Sequence, residues 1–247
     1  MKNVVEICCG SFYDAKQAFL GGADRIELNS GLYLGGLTPS IATLELVKEE
    51  LDIKTICMIR PRGAGFLYNE EDKKVMFKDC LALLKAKSEG LAFGFLNEDK
   101  TIDIETTKKM VDIIKNFDSK KEIVFHRAFD CVNNPYESIE TLISLNIDRV
   151  LTSGLQEKAI NGTNLIKELN DKYGDKIEIL AGSGVNYQNA KEIIEKTGIN
   201  QVHSSCKDFI IDSTTSNDNV SYSFINNENK YDVVSLDLVK NLVKSVK

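Results

Sequence analysis

Short apolar runs of four to six residues alternate along the chain with longer stretches in which apolar residues return every three or four positions. The first pattern reads as buried strands, the second as amphipathic helices. Strands are predicted at 4–9, 25–29, 55–60, 91–96, 123–126, 149–153, 177–181 and 201–205. Between them, Ala15, Ala18 and Phe19 share a helical face; so do Val75, Cys80, Leu83 and Leu84, then Met110, Ile113 and Ile114. Three further sets follow: Ile139, Leu142 and Ile143; Leu165, Ile166 and Leu169; Ala190, Ile193 and Ile194. Asp14, Thr38-Pro39 and Asn134-Pro135 read as helix starts, and Gly21-Gly22, Gly90, Gly174 and Gly198 as helix stops. Eight strands with crossover helices in 247 residues fit an α/β fold of the (β/α)8 TIM-like barrel type. A doubly wound open sheet is the alternative, but usually needs fewer strands.

No shift in composition divides residues 1–247, so a single barrel domain is expected. The irregular stretch is 207–231, rich in Ser, Asn, Asp and Thr, ahead of a closing helix whose apolar face is Val239, Leu242, Val243 and Val246. It reads as a solvated loop, or more sharply as a lid or subunit contact.

Parity along the strands separates two faces. Val5, Ile7 and Cys9 oppose Glu6 and Cys8; Ile26 and Leu28 oppose Arg25, Glu27 and Asn29. Cys57 and Ile59 oppose Met58 and Arg60; Ile123 and Phe125 oppose Val124 and His126. The all-apolar faces belong against the outer helices. Glu6, Cys8, Glu27, Asn29, Met58, Arg60 and His126 then point into the barrel. Buried charges need partners, and for Glu6 and Glu27 the obvious one is Arg60. Two readings stay open: an ion-pair network that fills the barrel, or an active site at the carboxyl edge of the strands, where barrels place their chemistry.

The chain has 2 histidines, and both close a predicted strand. His126, with a pKa near neutrality when unperturbed, is the candidate general acid or base; a structural bond to Glu6 or Asp130 is the plain alternative. Catalytic candidates are therefore His126, Glu6, Glu27 and Arg60. Arg60 and Arg62 offer guanidiniums for a carboxylate or phosphate. Gly182-Ser183-Gly184 after strand seven, expected to open a helix, and Ser204 after strand eight would complete an anion cradle. His203 reads as support for that cradle.

The formal net charge is −6, which disfavours nucleic acid as a partner. No run approaches about 18 uncharged apolar residues, so no membrane span is expected, and the N-terminus lacks a secretory pattern. The 6 cysteines show no Cys-x-x-Cys spacing and read as reduced cytosolic thiols.

Glu6-Ile7-Cys8-Cys9-Gly10-Ser11, the stretch Gly21 to Leu28, Gly35-Gly36-Leu37-Thr38-Pro39-Ser40, Met58 to Gly63, Phe125 to Asp130, Leu151 to Gly154, Ala181 to Val185 and His203 together resemble the CutC family, named for copper homeostasis. The blocks run in order from Val4 to about Ser205. The resemblance implies a (β/α)8 barrel, a cytoplasmic location, a homo-oligomer and a link to copper handling. Cu(I) prefers thiolate and thioether ligands. Many relatives carry Cys directly after Ile-Glu-Leu where this chain has Asn29, which leaves Cys8 as the inward-facing thiol and candidate copper ligand, with Met58 and His126 as mixed partners. The leading functional expectation is a copper-homeostasis protein that binds copper. The alternative is a barrel enzyme acting on a small anionic or phosphorylated metabolite. A small anion or a metal ion is the partner expected.

Overall fold

The computed structural model describes residues 2–224 and 228–247. Strands β1 (Val4–Cys9), β2 (Arg25–Leu28), β3 (Lys54–Met58), β4 (Gly90–Phe93), β5 (Glu122–Phe125), β6 (Arg149–Thr152), β7 (Glu178–Ala181) and β8 (Gln201–Ser204) form a closed barrel in chain order. All neighbours are parallel, and β8 closes onto β1 with Glu6 opposite His203. Helices α1 (Phe12–Leu20), α2 (Ile41–Glu50), α3 (Glu70–Lys85), α4 (Ile104–Phe117), α5 (Pro135–Ser144), α6 (Thr163–Tyr173), α7 (Ala190–Thr197) and α8 (Leu236–Val246) surround it. Strands and helices thus alternate as the hydrophobic pattern predicts. Among the described residues no helix is long and apolar enough to cross a membrane.

The two strand faces separate as parity requires. Val5, Ile7, Cys9, Ile26, Leu28, Cys57, Ile59, Ile123 and Phe125 join the large apolar shell between strands and helices. Ile56, Ala92, Val124, Leu151 and Leu180 form a second, smaller cluster inside the barrel. Burying such side chains contributes about 1.5–3 kcal/mol each, so a one-residue slip of any strand would be heavily penalised.

Local signals place the helix ends with some shifts. Ser11, not Asp14, caps α1: its hydroxyl accepts from the Asp14 N–H at 3.1 Å. Asp14 instead uses its carboxylate on the Gly10 and Val234 N–H groups, at 2.9 and 2.8 Å, and so ties the C-terminal region to the first loop. Ser40 rather than Thr38-Pro39 caps α2. Asn134 caps α5 with Pro135 in its first turn, as the sequence suggests. Gly21, Gly174 and Gly198 do end helices. Gly90 does not: α3 stops at Lys85, Lys87 turns the chain with φ +70°, and Gly90 begins β4. A Cβ there would meet the Glu122 carbonyl and Ile56 Cδ1 at 2.6 Å, so packing between neighbouring strands, not a helix end, requires glycine.

The described parts of 207–231 are more regular than the composition suggests; residues 225–227 lie outside them. β9 (Lys207–Ile211) and β10 (Lys230–Val234) pair antiparallel into a two-stranded ribbon, separate from the barrel sheet.

Candidate functional site

At the amino ends of the strands the barrel is plugged by charge. Arg25, Arg149 and Gln201 each sit at or near the first residue of a strand and face inward. Arg25 Nε donates to Glu6 Oε2, and Arg25 Nη2 to Gln201 Oε1 at 3.0 Å. Arg149 donates to the same Gln201 oxygen at 3.1 Å and to Glu178 at 2.7 Å, and pairs with Glu122 at 3.1 Å. The partner of Glu6 is therefore Arg25, not Arg60. Arg25 occupies the inward parity of β2, so that signal was present in the sequence; what was missing was the cross-strand height that brings it to Glu6.

Two residues further along the same strands the inward positions are Glu27, Leu151 and His203. They form the bottom of a cavity of about 460 Å³ that opens at the carboxyl edge of the barrel. Cys8 and Met58 line it from β1 and β3, and the loops after β2, β3, β5, β7 and β8 build its walls.

His203 is the pivot of the floor. Its Nδ1 lies 2.7 Å from Glu6 Oε1. Burial alone would lower its pKa, but hydrogen bonds to Cys8 and Glu6 and the charge of Glu27 raise it well above the ordinary imidazole value. For Glu6, burial works upward, but Arg25 and His203 win and hold it far below the usual carboxylate range. Glu6 and His203 thus form a charged pair. Among the described residues, Glu27 has no such counter-ion at contact. Burial raises its pKa against the pull of His203. Its Oε2 accepts from Asn29 Nδ2 at 3.1 Å and from Cys8 Sγ at 3.8 Å, while its buried Oε1 has no partner. Burial likewise raises the Cys8 thiol. One donor atom each from Cys8, Glu27 and His203 lie within 4.8 Å of one another.

His126 stands apart. It follows β5 directly, and its Nδ1 accepts the Ala128 N–H at 3.1 Å. Neither Glu6 nor Asp130 bonds it. Asp130 is taken by Arg127 at 2.8 Å, Thr152 at 2.6 Å and Ser153 at 2.9 Å. Burial first, then the cations Arg60 and Arg127, push the His126 pKa down to about 3, so the ring is neutral. With Nδ1 accepting, the proton resides on Nε2, and Nε2 has no partner. In this tautomer the free nitrogen is a donor, and His126 is outside the cluster of Cys8, Glu27 and His203. The donor atoms that the fold brings closest to Cys8 are those of Glu27 and His203.

The remaining sequence candidates divide. Arg60 lines the cavity, its Nη1 donating to the carbonyls of Leu34 and Gly36 at 3.0 and 3.1 Å and its Nη2 to Ala64. Arg62 does not line it; its guanidinium pairs with Asp72 at 2.8 Å and with loop carbonyls. Ser183 and Gly184 line the wall with φ of +82° and +68°, but no helix opens there, because α7 starts only at Ala190. Ser183 Oγ donates to the Glu157 carbonyl and Ser204 Oγ to that of Val185, each at 2.6 Å. Those hydroxyls hold loops together. Gly182 lies under His203: a Cβ there would come within 3.4 Å of the His203 side chain and 2.6 Å of Leu151. The missing Cβ leaves room for Leu151, while the His203 distance is an ordinary contact.

Position 29, directly after Ile26-Glu27-Leu28, is at the site. Asn29 Nδ2 lies 3.5 Å from Cys8 Sγ.

Residues 3–208 match the sequence pattern of the CutC family. A Treponema denticola protein named "family protein CutC" is 42% identical over 250 residues, covering 100% of both chains. The human "Copper homeostasis protein cutC homolog" is 40% identical over 204 residues, 83% of this chain and 73% of its own. The crystal structure of the putative copper homeostasis protein CutC from Streptococcus agalactiae superimposes with a TM-score of 0.77 at 30% identity, over 82% of this chain and 98% of that one. A phosphoribosylanthranilate isomerase from Pyrococcus furiosus, 15% identical with a TM-score of 0.55 and coverage of 99% and 98%, shares the barrel fold alone. By sequence and by architecture, this chain belongs to the CutC family.

Proposed function

We propose that this chain serves copper homeostasis by binding copper, as Cu(I), at the floor of the barrel cavity. The observation that carries the reading is the convergence of Cys8, Glu27 and His203 donors within 4.8 Å. Thiolate and imidazole are donors that suit copper, and thiolate selects Cu(I). Glu6 engages His203 Nδ1, which leaves Nε2 for the ion, the carboxylate–histidine–metal relation common at metal sites. The unpartnered buried Glu27 Oε1 gains a cation to face.

The same electrostatics set the pH dependence. Without metal, the His203 imidazole and the Cys8 thiol are both held protonated. An ion must displace those protons, so affinity rises with pH. The test is a Cu(I) titration under reducing conditions against a chelating indicator. One ion per chain is expected, bound more tightly at about pH 8 than at about pH 6, with Cys8→Ser at least about tenfold weaker. Equal affinity in wild type and Cys8→Ser would overturn the assignment.

A further inference from the structure

The cavity holds a second set of unmatched groups, above the metal donors and on other strands. Arg60 is 5% exposed and His126 2%. Both line the cavity, and each has a buried nitrogen without a partner: Arg60 Nε and His126 Nε2. Charge separates Arg60 from the other cavity cations. His203 has Glu6, Arg127 has Asp130 and Lys207 has Asp232. Among the described residues, no carboxylate oxygen lies within 4.0 Å of the Arg60 nitrogens; its acceptors are neutral carbonyls. A buried cation without an anion costs several kcal/mol.

Phe66, from the loop between β3 and α3, connects the two groups. Its ring centroid lies 5.0 Å from the His126 imidazole and 5.2 Å from the Arg60 guanidinium carbon. Charged donor, neutral donor and apolar surface are thus contiguous in one wall. The cavity, at about 460 Å³, lies in the range of small-molecule sites and is far larger than a single ion requires.

We infer that this wall is a binding site for a small organic oxyanion, a carboxylate or a phosphate ester. Its oxygen accepts from Arg60 Nε–H and His126 Nε2–H, and its carbon skeleton lies against Phe66. The oxyanion supplies the charge that Arg60 lacks and the acceptor that His126 lacks. Because the Ala128 N–H occupies Nδ1, the uncharged ring presents Nε2–H, a donor for an oxygen acceptor. The inference shares the cavity with the copper reading but none of its ligands.

The test is thermal unfolding of chelator-treated protein at fixed ionic strength, with sodium pyruvate and sodium glycerol phosphate as probes and sodium chloride as reference. At ten times its Kd, a bound probe raises Tm by roughly 2–4 °C. The probe that gives the larger rise names the oxyanion class. The rise is expected to vanish in His126→Leu and in Arg60→Met; should Arg60→Met fail to fold, His126→Leu carries the test. No rise above chloride with either probe would overturn the site, as would a rise undiminished in His126→Leu. Copper titration of the same preparation separates this result from the metal reading, since either can fail while the other stands.

Discussion

The two ends of the barrel interior use the same residue types to opposite effect. At the amino end, Glu6, Arg25, Arg149 and Gln201 form a network in which each charged group has a charged or amide partner. At the carboxyl end, Glu27, Arg60 and His126 are as deeply buried, yet each keeps an atom unpaired. A saturated buried network is a piece of scaffold; an unsaturated one retains free energy that water or a ligand can recover. The two histidines repeat the contrast. His203 is charged, anchored to Glu6, and close to the donor atoms of Cys8 and Glu27. His126 is neutral and has one nitrogen free.

The sharpest way to break this comparison is to remove one arginine from each end. Arg25→Met strands Glu6 beside a single remaining cation, and a loss of about 3–5 kcal/mol in urea unfolding is expected. Arg60→Met breaks no ion pair, removing bonds to neutral carbonyls and a contact with the Phe66 ring, with a loss of about 1–2 kcal/mol. Equal losses would erase the distinction between scaffold and site.

The next effect is acid lability. The His126 pKa is lowered to about 3 in the fold, against about 6.5 when unfolded. Between those values the unfolded chain binds the extra proton, so stability falls as pH drops below about 6.5 and continues to fall towards about 3. Relative to His126→Leu, wild type should lose about 2 kcal/mol between pH 6.5 and pH 5, read from unfolding free energies at the two values. A pH-independent difference would show that the ring is not held neutral. The smallest expected effect concerns position 29. Asn29→Cys adds a thiol within reach of Cys8, and Cu(I) affinity should rise by about tenfold or less, with little change in stability. A loss of affinity would mean that the Asn29 hydrogen bond to Glu27 matters more than a second sulfur.

Much of this molecule could be read from alternation alone. Parity on β1, β2, β3 and β5 placed Glu6, Glu27, Arg60 and His126 inside the barrel, because a strand that packs helices on one face leaves its polar residues only the other. Pairing between those residues could not be read so directly. Glu6 meets Arg25 from 19 positions away and His203 from 197, and which inward residues share a height depends on how the barrel closes. The sequence reading of His203 as support for an anion cradle accordingly does not contain its contact with Glu6. Arg62 looked equivalent to Arg60 in sequence, but past the end of β3 the chain turns and Asp72 captures it. Loop geometry, unlike strand alternation, follows from contacts that no short window contains.

The register that sets Glu6 beside His203 has one more consequence. These residues belong to the first and last staves of the barrel, and the proposed copper donors add Cys8 and Glu27 on its first two. The pocket floor is thus also the clasp of the ring. A nascent chain has no such floor until β8 has been made and docked, which places site assembly among the long-range, late contacts of folding. An ion held there would fasten the clasp, and loading the protein would slow amide exchange in β8 and β1 before it is felt elsewhere.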